Sequence, residues 1–129
     1  MHKRFVVTGA VFGAIAVALG AFGAHGLKQI VPAETVQTFQ TGVQYQMYHA
    51  LALLIAGLLY EKCSQRFVKI AGTFFIIGII LFSGSLYLLT TFKATETVGL
   101  EKFGLITPFG GVFFIAGWLF LFISAVKSK

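Results

Sequence analysis

The chain has 129 residues, of which 57% are hydrophobic and 11% charged, and its formal net charge is +6. A soluble domain carries about a quarter charged residues, so this composition excludes a water-soluble globular protein and indicates a single membrane domain, residues 1–129. The basic residues lie at the ends and in short connectors, so the positive charge does not predict a nucleic-acid partner.

Four long runs without charged residues follow one another along the chain. Each is close to or longer than the roughly 20 residues that a helix needs to cross a ~30 Å hydrocarbon core. The runs predict transmembrane helices at approximately 5–24, 33–60, 69–92 and 107–126. Because the connectors are short, successive helices should run antiparallel, which gives an all-α, integral membrane, antiparallel four-helix bundle.

The distribution of basic residues predicts the orientation of the bundle. One side of the membrane receives seven of them: Lys3, Arg4, Lys62, Arg66, Lys69, Lys127 and Lys129. The other side receives three: Lys28, Lys93 and Lys102. By the positive-inside rule, both termini and the connector around Cys63 are expected in the cytoplasm.

The first predicted helix carries a stripe of small residues at spacings of three and four: Gly9, Gly13, Ala16 and Gly20. Such a stripe allows close helix packing in a membrane, either within the chain or in a homo-oligomer. The apolar run is longer than the ~7–15 residues of a signal-peptide core, so we expect it to be retained. It ends with "LGAFGAHGLK", which places His25 at the end of the helix.

The second predicted helix is unusually long and polar. Residues 33–60 would extend about 42 Å at ~1.5 Å per residue, so the helix should tilt or project from the membrane. Its first half carries glutamines and threonines on all sides, and an unpaired amide in hydrocarbon costs several kcal/mol. This half must therefore be surrounded by protein, water or headgroups.

With the amino terminus inside, polar side chains from all four helices fall in the outer half of the membrane. Their co-location predicts a ligand-binding site facing outward. The predicted site residues are His25, Gln44, Tyr45, Gln46, His49, Ser83, Ser85, Tyr87 and Thr107. Thr107 and Pro108 are also typical of a helix start, where free amide groups could hold an anionic or carbonyl group.

His49 is open to two interpretations. An ionisable residue inside a span is a candidate proton switch or metal ligand, but it can also be a neutral histidine hydrogen-bonded to a tyrosine or glutamine of another helix. His25 could simply lie at the membrane interface. Together the two histidines could ligate haem or a metal, although no third ligand type is evident and no metal site is predicted.

Catalytic motifs are not apparent. Ser83 and His49 could meet, but the outer acids are only Glu34, Glu96 and Glu101, and "FSGSL" is not a nucleophile elbow. Walker, dinucleotide and HExxH patterns do not occur in the sequence. The sequence therefore supports no catalytic residue, and enzymatic activity is unsupported.

Several segments together resemble one known family. "LGAFGAHGL", "TGVQYQMYHALALL", "LFSGSLYLL" and "ITPFGG", with a later "GW" at Gly117 and Trp118, are similar in order to the domain-of-unknown-function 423 family, also called the transmembrane protein 256 family. The resemblance implies a small multi-pass protein of the bacterial plasma membrane. It implies no chemistry for the shared residues.

Three functional hypotheses remain open from the sequence. The first is binding or transport of a small amphipathic or lipid-like ligand in the outer half of the membrane, with membrane lipids as partners. The second is a non-catalytic structural or assembly subunit of a membrane complex. The third is a haem or metal redox protein that uses His25 and His49; the sequence does not identify a cofactor.

Overall fold

The computed structural model describes residues 1–96 and 101–128. The described residues are almost entirely helical and include no strand, which confirms the all-helical prediction. The α-helices are α1 (Lys3–Ala24), α2 (Ala33–Leu59), α3 (Gln65–Gly78), α4 (Gly84–Ala94) and α5 (Thr107–Val126). A π-helical segment, Ile79–Ser83, joins α3 to α4. Short 3-10 turns, Leu27–Gln29 and Glu101–Ile106, precede α2 and α5.

The third helix begins earlier than the sequence predicts. Ser64 is its N-cap residue and α3 starts at Gln65, four residues before the predicted boundary at 69. The prediction assigned Arg66 to the connector because it is charged, and it placed Lys69 at the first residue of the helix. In the structure they lie on the first turns of the helix, where long basic side chains can reach the membrane surface.

Three helical stretches of the described chain are long and apolar enough to cross a membrane: Lys3–Gln29, Gln65–Ala94 and Gly104–Val126. α2 is long enough at 27 residues, but it is not one of the three. Its amino-terminal half carries the glutamines and threonines, which lower its hydropathy. That this helix also spans the membrane remains a prediction.

α1 packs closely on α2 through the predicted stripe of small residues. Ala16 is 1% exposed, and a methyl group at Gly9 would lie 2.9 Å from the carbonyl oxygen of Ala50. A methyl group at Gly20 would lie 3.3 Å from Val43. The stripe therefore packs mainly within the chain, and of its four residues only Gly13 has open space beside it. A homo-oligomer through this face stays a prediction.

α3 and the π segment pack on α5 through glycines opposite phenylalanines. Gly78 lies against Phe114, Gly110 against the backbone of Phe82, and Gly117 against Phe75. Later residues of α3 and the π segment thus meet earlier residues of α5. The reversed order also holds between α1 and α2, since Gly9 meets Ala50 and Gly20 meets Val43.

One end of the molecule gathers the amino terminus, the α2–α3 connector and the end of α5. The backbone N–H of His2 donates to the carbonyl of Gly57 at 2.8 Å, and that of Ser64 donates to the carbonyl of Ser124 at 3.1 Å. The terminal amine lies 3.0 Å from the Glu61 carboxylate. These contacts place Lys3, Arg4, Lys62, Arg66, Lys69 and Lys127 near the same end.

Candidate functional site

A hydrogen-bonded chain of polar groups connects α1, α2 and α4 inside the protein. Gln46 is 3% exposed, and its side-chain amide donates to the carbonyl oxygen of Phe12 at 2.8 Å. Its own carbonyl oxygen accepts the hydroxyl of Tyr87 at 2.7 Å. Gln46 is therefore held at both ends of its amide and fixes the relative depth of three helices.

Two buried serines make further contacts between helices. Ser83 donates to the carbonyl oxygen of Gly42 at 2.6 Å, which ties the π segment to α2. The Ser85 and Thr107 hydroxyls are 2.6 Å apart, which ties α4 to the first residue of α5. Thr107 was predicted as a helix cap, but here its hydroxyl binds a side chain of a neighbouring helix.

These polar groups are satisfied within the chain. Among the described residues, no buried side-chain nitrogen or oxygen lacks a hydrogen-bond partner. The amide of Gln40, which was not predicted as a site residue, donates to the carbonyl oxygen of Gly20 at 3.1 Å. Hydrocarbon offers no alternative partners, so these interactions stabilise the packed bundle.

His49 is 4% exposed and both of its ring nitrogens are hydrogen-bonded. Nε2 lies 3.0 Å from the indole nitrogen of Trp118, and Nδ1 lies 2.7 Å from the carbonyl oxygen of Tyr45. An indole N–H can only donate, so Nε2 must be the acceptor and Nδ1 must carry the proton. The geometry therefore describes a neutral imidazole with a fixed tautomer.

Aromatic rings surround this imidazole. The ring of Phe114 stacks on it with centroids 3.5 Å apart and planes 9° apart. Phe75 lies on another side at 5.6 Å, and the Tyr45 ring lies nearly parallel to it at 6.2 Å. His49 is thus embedded in an aromatic cluster between α2, α3 and α5.

Above this cluster, a groove of about 470 Å³ opens on the outside of the bundle between α2 and α5. We call it the aromatic groove; it is lined by Tyr45, Tyr48, His49, Phe82, Gly111, Phe114, Ile115 and Trp118. Tyr45 and Tyr48 are 38% and 53% exposed on its rim. Along α5, the groove extends from Gly111 to Trp118, which are roughly 6 and 16 Å from the first residue of the helix at ~1.5 Å per residue.

The structure does not bring His25 and His49 together. His25 is exposed at the end of α1, where its Nδ1 lies 3.0 Å from the carbonyl oxygen of Ala21. Gly23 packs on Gln40, which is nine residues or roughly 14 Å along α2 from His49. No cluster of three or more His, Cys, Asp or Glu side chains able to hold a metal occurs among the described residues.

Nor does the structure assemble a serine hydrolase site. The hydroxyl of Ser83 donates to the carbonyl oxygen of Gly42, which lies seven residues before His49 on α2. Both nitrogens of His49 are already bonded to Tyr45 and Trp118, so neither is available as a base for a serine. Glu34 and Glu96 are exposed, and the side chain of Glu101 is outside the described part of the chain.

Comparison with known proteins identifies the family. The family described as "Protein of unknown function (DUF423)" matches residues 19–111, which include all nine predicted site residues. The chain belongs to the DUF423 family. The resemblance seen in the sequence motifs is thereby confirmed.

Curated relatives match this DUF423 member over nearly its full length. The UPF0382 membrane protein YwdK of Bacillus subtilis is 45% identical over 97% of this chain and 98% of its own. The UPF0382 membrane protein of Haemophilus influenzae is 39% identical over 100% and 98%. The UPF0382 inner membrane protein YgdD of Escherichia coli is 37% identical over 100% and 95%. No solved structure matches the chain.

These relatives confirm the predicted bacterial membrane location, and three helices of the chain are apolar enough to span a membrane. The chain is an integral membrane protein of a family whose name assigns no activity.

The nine predicted site residues separate into four groups. Gln46, Ser83, Ser85, Tyr87 and Thr107 form the interhelical hydrogen bonds, while Tyr45 and His49 line the aromatic groove. Gln44 is exposed on the outside of α2, and His25 is exposed at the end of α1.

Sequence reasoning missed most of the groove: Tyr48, Phe82, Gly111, Phe114, Ile115 and Trp118. All six carry aromatic or aliphatic side chains or none at all, and apart from Trp118 nothing distinguishes them from ordinary membrane-facing positions. Trp118 carried a signal. A tryptophan in the middle of a span needs an acceptor for its N–H, and His49 is such an acceptor.

Proposed function

We propose that this protein is a non-catalytic membrane binding module that holds a small, lipid-soluble molecule with a planar ring in the aromatic groove. The groove opens toward the membrane phase on the outside of the bundle, so a ligand can enter from the bilayer. This is the ligand-binding hypothesis of the sequence, with its site moved from the polar residues to the groove between α2 and α5.

A single observation carries the proposal: Gly111 has no packing reason to be glycine. A methyl group at Gly110 would overlap the backbone of Phe82, and one at Gly117 would lie 2.8 Å from the ring of Phe75. A methyl group at Gly111 would meet no atom within 4 Å, yet Gly111 lines the groove. A larger side chain at this position would occupy the groove, whereas glycine leaves the groove open.

The lining of the groove suggests the chemistry of the ligand. Flat faces of Tyr45, Phe82 and Trp118 favour stacking with a planar ring. The hydroxyls of Tyr45 and Tyr48 make no hydrogen bond to another described residue and can bind a carbonyl or hydroxyl group on that ring. A lipid-soluble quinone has this combination of a planar ring, carbonyl oxygens and an apolar tail.

We further propose that the helices form an antiparallel four-helix bundle across the membrane, with both termini in the cytoplasm. The reversed order of contacts between α1 and α2 and between α3 and α5 supports this arrangement. The gathering of basic residues at the end that holds both termini supports the orientation. In this orientation, the groove extends from the outer half of the membrane to its middle.

The chain's single tryptophan, Trp118, provides a direct test of the groove. The purified protein is reconstituted in phosphatidylcholine vesicles and titrated with a short-chain benzoquinone, which quenches tryptophan fluorescence on contact. We expect a saturable component of quenching above the linear component that random collisions produce. Gly111→Leu fills the groove and should remove the saturable component.

Gly84→Leu is the matched control, because a methyl group at Gly84 also meets no atom within 4 Å and Gly84 does not line the groove. It should quench like the wild type. Linear quenching by the wild type, or saturable quenching that Gly111→Leu leaves unchanged, would contradict the proposal.

A structural or assembly role is the second candidate, and a specific observation favours it. The buried polar side chains are hydrogen-bonded to side chains and backbone carbonyls of neighbouring helices, which is what a scaffold requires. Under this alternative, the wild type shows only linear quenching and Gly111→Leu does not change it. Substitutions of Gln46 or Tyr87 lower stability in detergent and leave the quenching unchanged.

A further inference from the structure

One face of α2 remains exposed along the length of the helix and does not line the aromatic groove except at Tyr48. Its residues begin with Gln37, Thr41, Gln44 and Tyr48, and we call this face the α2 seam. The seam continues through Leu51, Ile55 and Leu58, which are 50%, 48% and 60% exposed. The spacing alternates strictly between four and three residues, which is the repeat of a seam between two helices that wind around each other.

Two polar residues of the seam, Gln44 and Tyr48, lie near the middle of the membrane. The side chain of Gln46 bonds to the carbonyl of Phe12, the tenth residue of the 22-residue α1. Gln44 and Tyr48 are two residues from Gln46 on either side, so they lie within about 3 Å of that level along the helix axis. Snorkelling to the headgroups is not possible from this depth.

Polar side chains at this depth need partners. No hydrogen bond joins the Gln44 amide or the Tyr48 hydroxyl to another described residue, and lipid tails offer neither donors nor acceptors. Thr41 differs, because its hydroxyl donates to the backbone carbonyl of Gln37 at 3.0 Å. A glutamine amide facing the bilayer core is therefore an indication that this face is covered in the membrane.

We propose that the α2 seam is covered by the α2 seam of a second copy of this chain, so that the protein is a homodimer. Two copies inserted with the same orientation place their α2 helices parallel around a two-fold axis along the membrane normal. Gln44 then meets Gln44 of the other copy at equal depth. A glutamine amide both donates and accepts, so it can pair with itself.

Charge does not oppose this contact. Residues 35–60 contain no Asp, Glu, Lys or Arg, and the one histidine, His49, is buried, so two identical seams approach without repulsion. In the carboxyl-terminal half of α2, the aliphatic side chains of Leu51, Ile55 and Leu58 can pack against the same residues of the second copy. The dimer also explains why α2 alone lacks the apolar character of a free-standing span.

This interface differs from the stripe of small residues on α1, which packs on α2 of the same chain. The seam and the aromatic groove share only Tyr48, because the other seam residues do not line the groove. The homodimer and the ligand can therefore be tested separately.

Disulfide cross-linking tests the seam. The single native cysteine is removed by Cys63→Ser, and one cysteine is introduced by Gln44→Cys or Leu51→Cys. The controls are Val17→Cys and Leu119→Cys, at residues 64% and 57% exposed on other helices. Each protein is purified, reconstituted alone and sparsely in phosphatidylcholine vesicles, and oxidised with copper phenanthroline.

We expect covalent dimers from both seam variants and monomers from both controls. Because no other protein is present, a dimer identifies the partner as a second copy. Equal cross-linking of controls and seam variants, or monomers throughout, would overturn the proposal.

A second measurement tests the role of the amides. Single-molecule photobleaching counts the copies in each particle over a range of lipid dilutions, for the wild type and for Gln37→Leu with Gln44→Leu. Hydrogen bonds between membrane helices are modest, so the double variant should dissociate about three- to tenfold more readily. Unchanged dissociation would refute pairing through the amides.

Gly111→Leu should dimerise like the wild type whether or not the groove binds a ligand.

Discussion

Trp118 donates its indole N–H to Nε2 of His49 at 3.0 Å, and this bond connects the middle of α5 to the middle of α2. The same imidazole binds the carbonyl of Tyr45 through Nδ1 at 2.7 Å. This ionisable residue of α2 is thus held neutral by one donor and one acceptor. His49 therefore connects α2 to α5 at the floor of the aromatic groove.

Trp118→Phe should destabilise the protein by about 1–3 kcal/mol, because it leaves Nε2 of His49 buried without a donor. Phenylalanine keeps an aromatic ring at the same position, so much of the packing is retained. The free energy of unfolding in mixed detergent micelles, followed by circular dichroism, measures the effect.

The control for this substitution is a double variant. His49→Phe combined with Trp118→Phe removes both partners together, so no buried polar atom is left unpaired. We expect the double variant to be more stable than the sum of the two single variants predicts. Simple additivity would mean that the hydrogen bond contributes nothing.

Gly110→Ala and Gly111→Ala should have opposite effects on stability. The methyl group of the first would overlap the backbone of Phe82, which cannot move without separating α5 from the π segment. Overpacking of this kind costs about 1–3 kcal/mol. The second meets open space and should be neutral or stabilise the protein by up to about 1 kcal/mol. Thermal unfolding of both variants in the same detergent measures these effects. Equal melting temperatures for the two variants would contradict the prediction.

Tyr87→Phe should lower the free energy of unfolding by roughly 0.6–1.7 kcal/mol, the range measured for hydrogen bonds between membrane helices. The substitution removes only the hydroxyl that Gln46 accepts at 2.7 Å. Tyr45→Phe serves as the comparison, because the Tyr45 side chain is 38% exposed and its hydroxyl binds no described residue. If Tyr45→Phe destabilised the protein as strongly, the interior hydrogen bond would not be the reason.

Cys63 reports the orientation in the membrane. It lies half-buried in a cleft beside Lys62 and Lys127, at the end that carries the basic residues. A membrane-impermeant maleimide should leave Cys63 unlabelled in intact cells and label it in inverted membrane vesicles. Gln29→Cys in a Cys63→Ser background should show the reverse pattern, since Gln29 is exposed at the opposite end. Labelling of Cys63 in intact cells would place the termini outside.

The sequence predicts the helices well because their signal is local. Runs without charge, the small-residue stripe of α1 and the start of α5 at Thr107 can each be recognised within one segment. That polar residues of different helices meet is also predictable, since amides and hydroxyls in a membrane need partners. Gln46 with Tyr87 and Ser85 with Thr107 are examples.

Which glutamine faces inward could not be predicted. Gln44 and Gln46 are only two residues apart, and their roles depend on the rotation of α2, which contacts with Phe12 and Tyr87 determine. The groove could not be predicted either, because it requires α2 and α5 to lie side by side although 65 residues separate His49 from Phe114. Neither fact is encoded in a periodic pattern.

The π segment Ile79–Ser83 joins α3 to α4, and these two helices contact different parts of the protein. α3 contributes Phe75 to the aromatic cluster, and α4 contributes Tyr87 to the polar chain. The backbone N–H of Gly84 reaches five residues back to the carbonyl of Ile79, so the turn is wider than an α-helical one. Deleting one residue there would restore a regular helix and rotate α4 relative to α3 by about 100°. Tyr87 would then point away from Gln46, so the alignment of both halves with α2 depends on a single residue of additional chain.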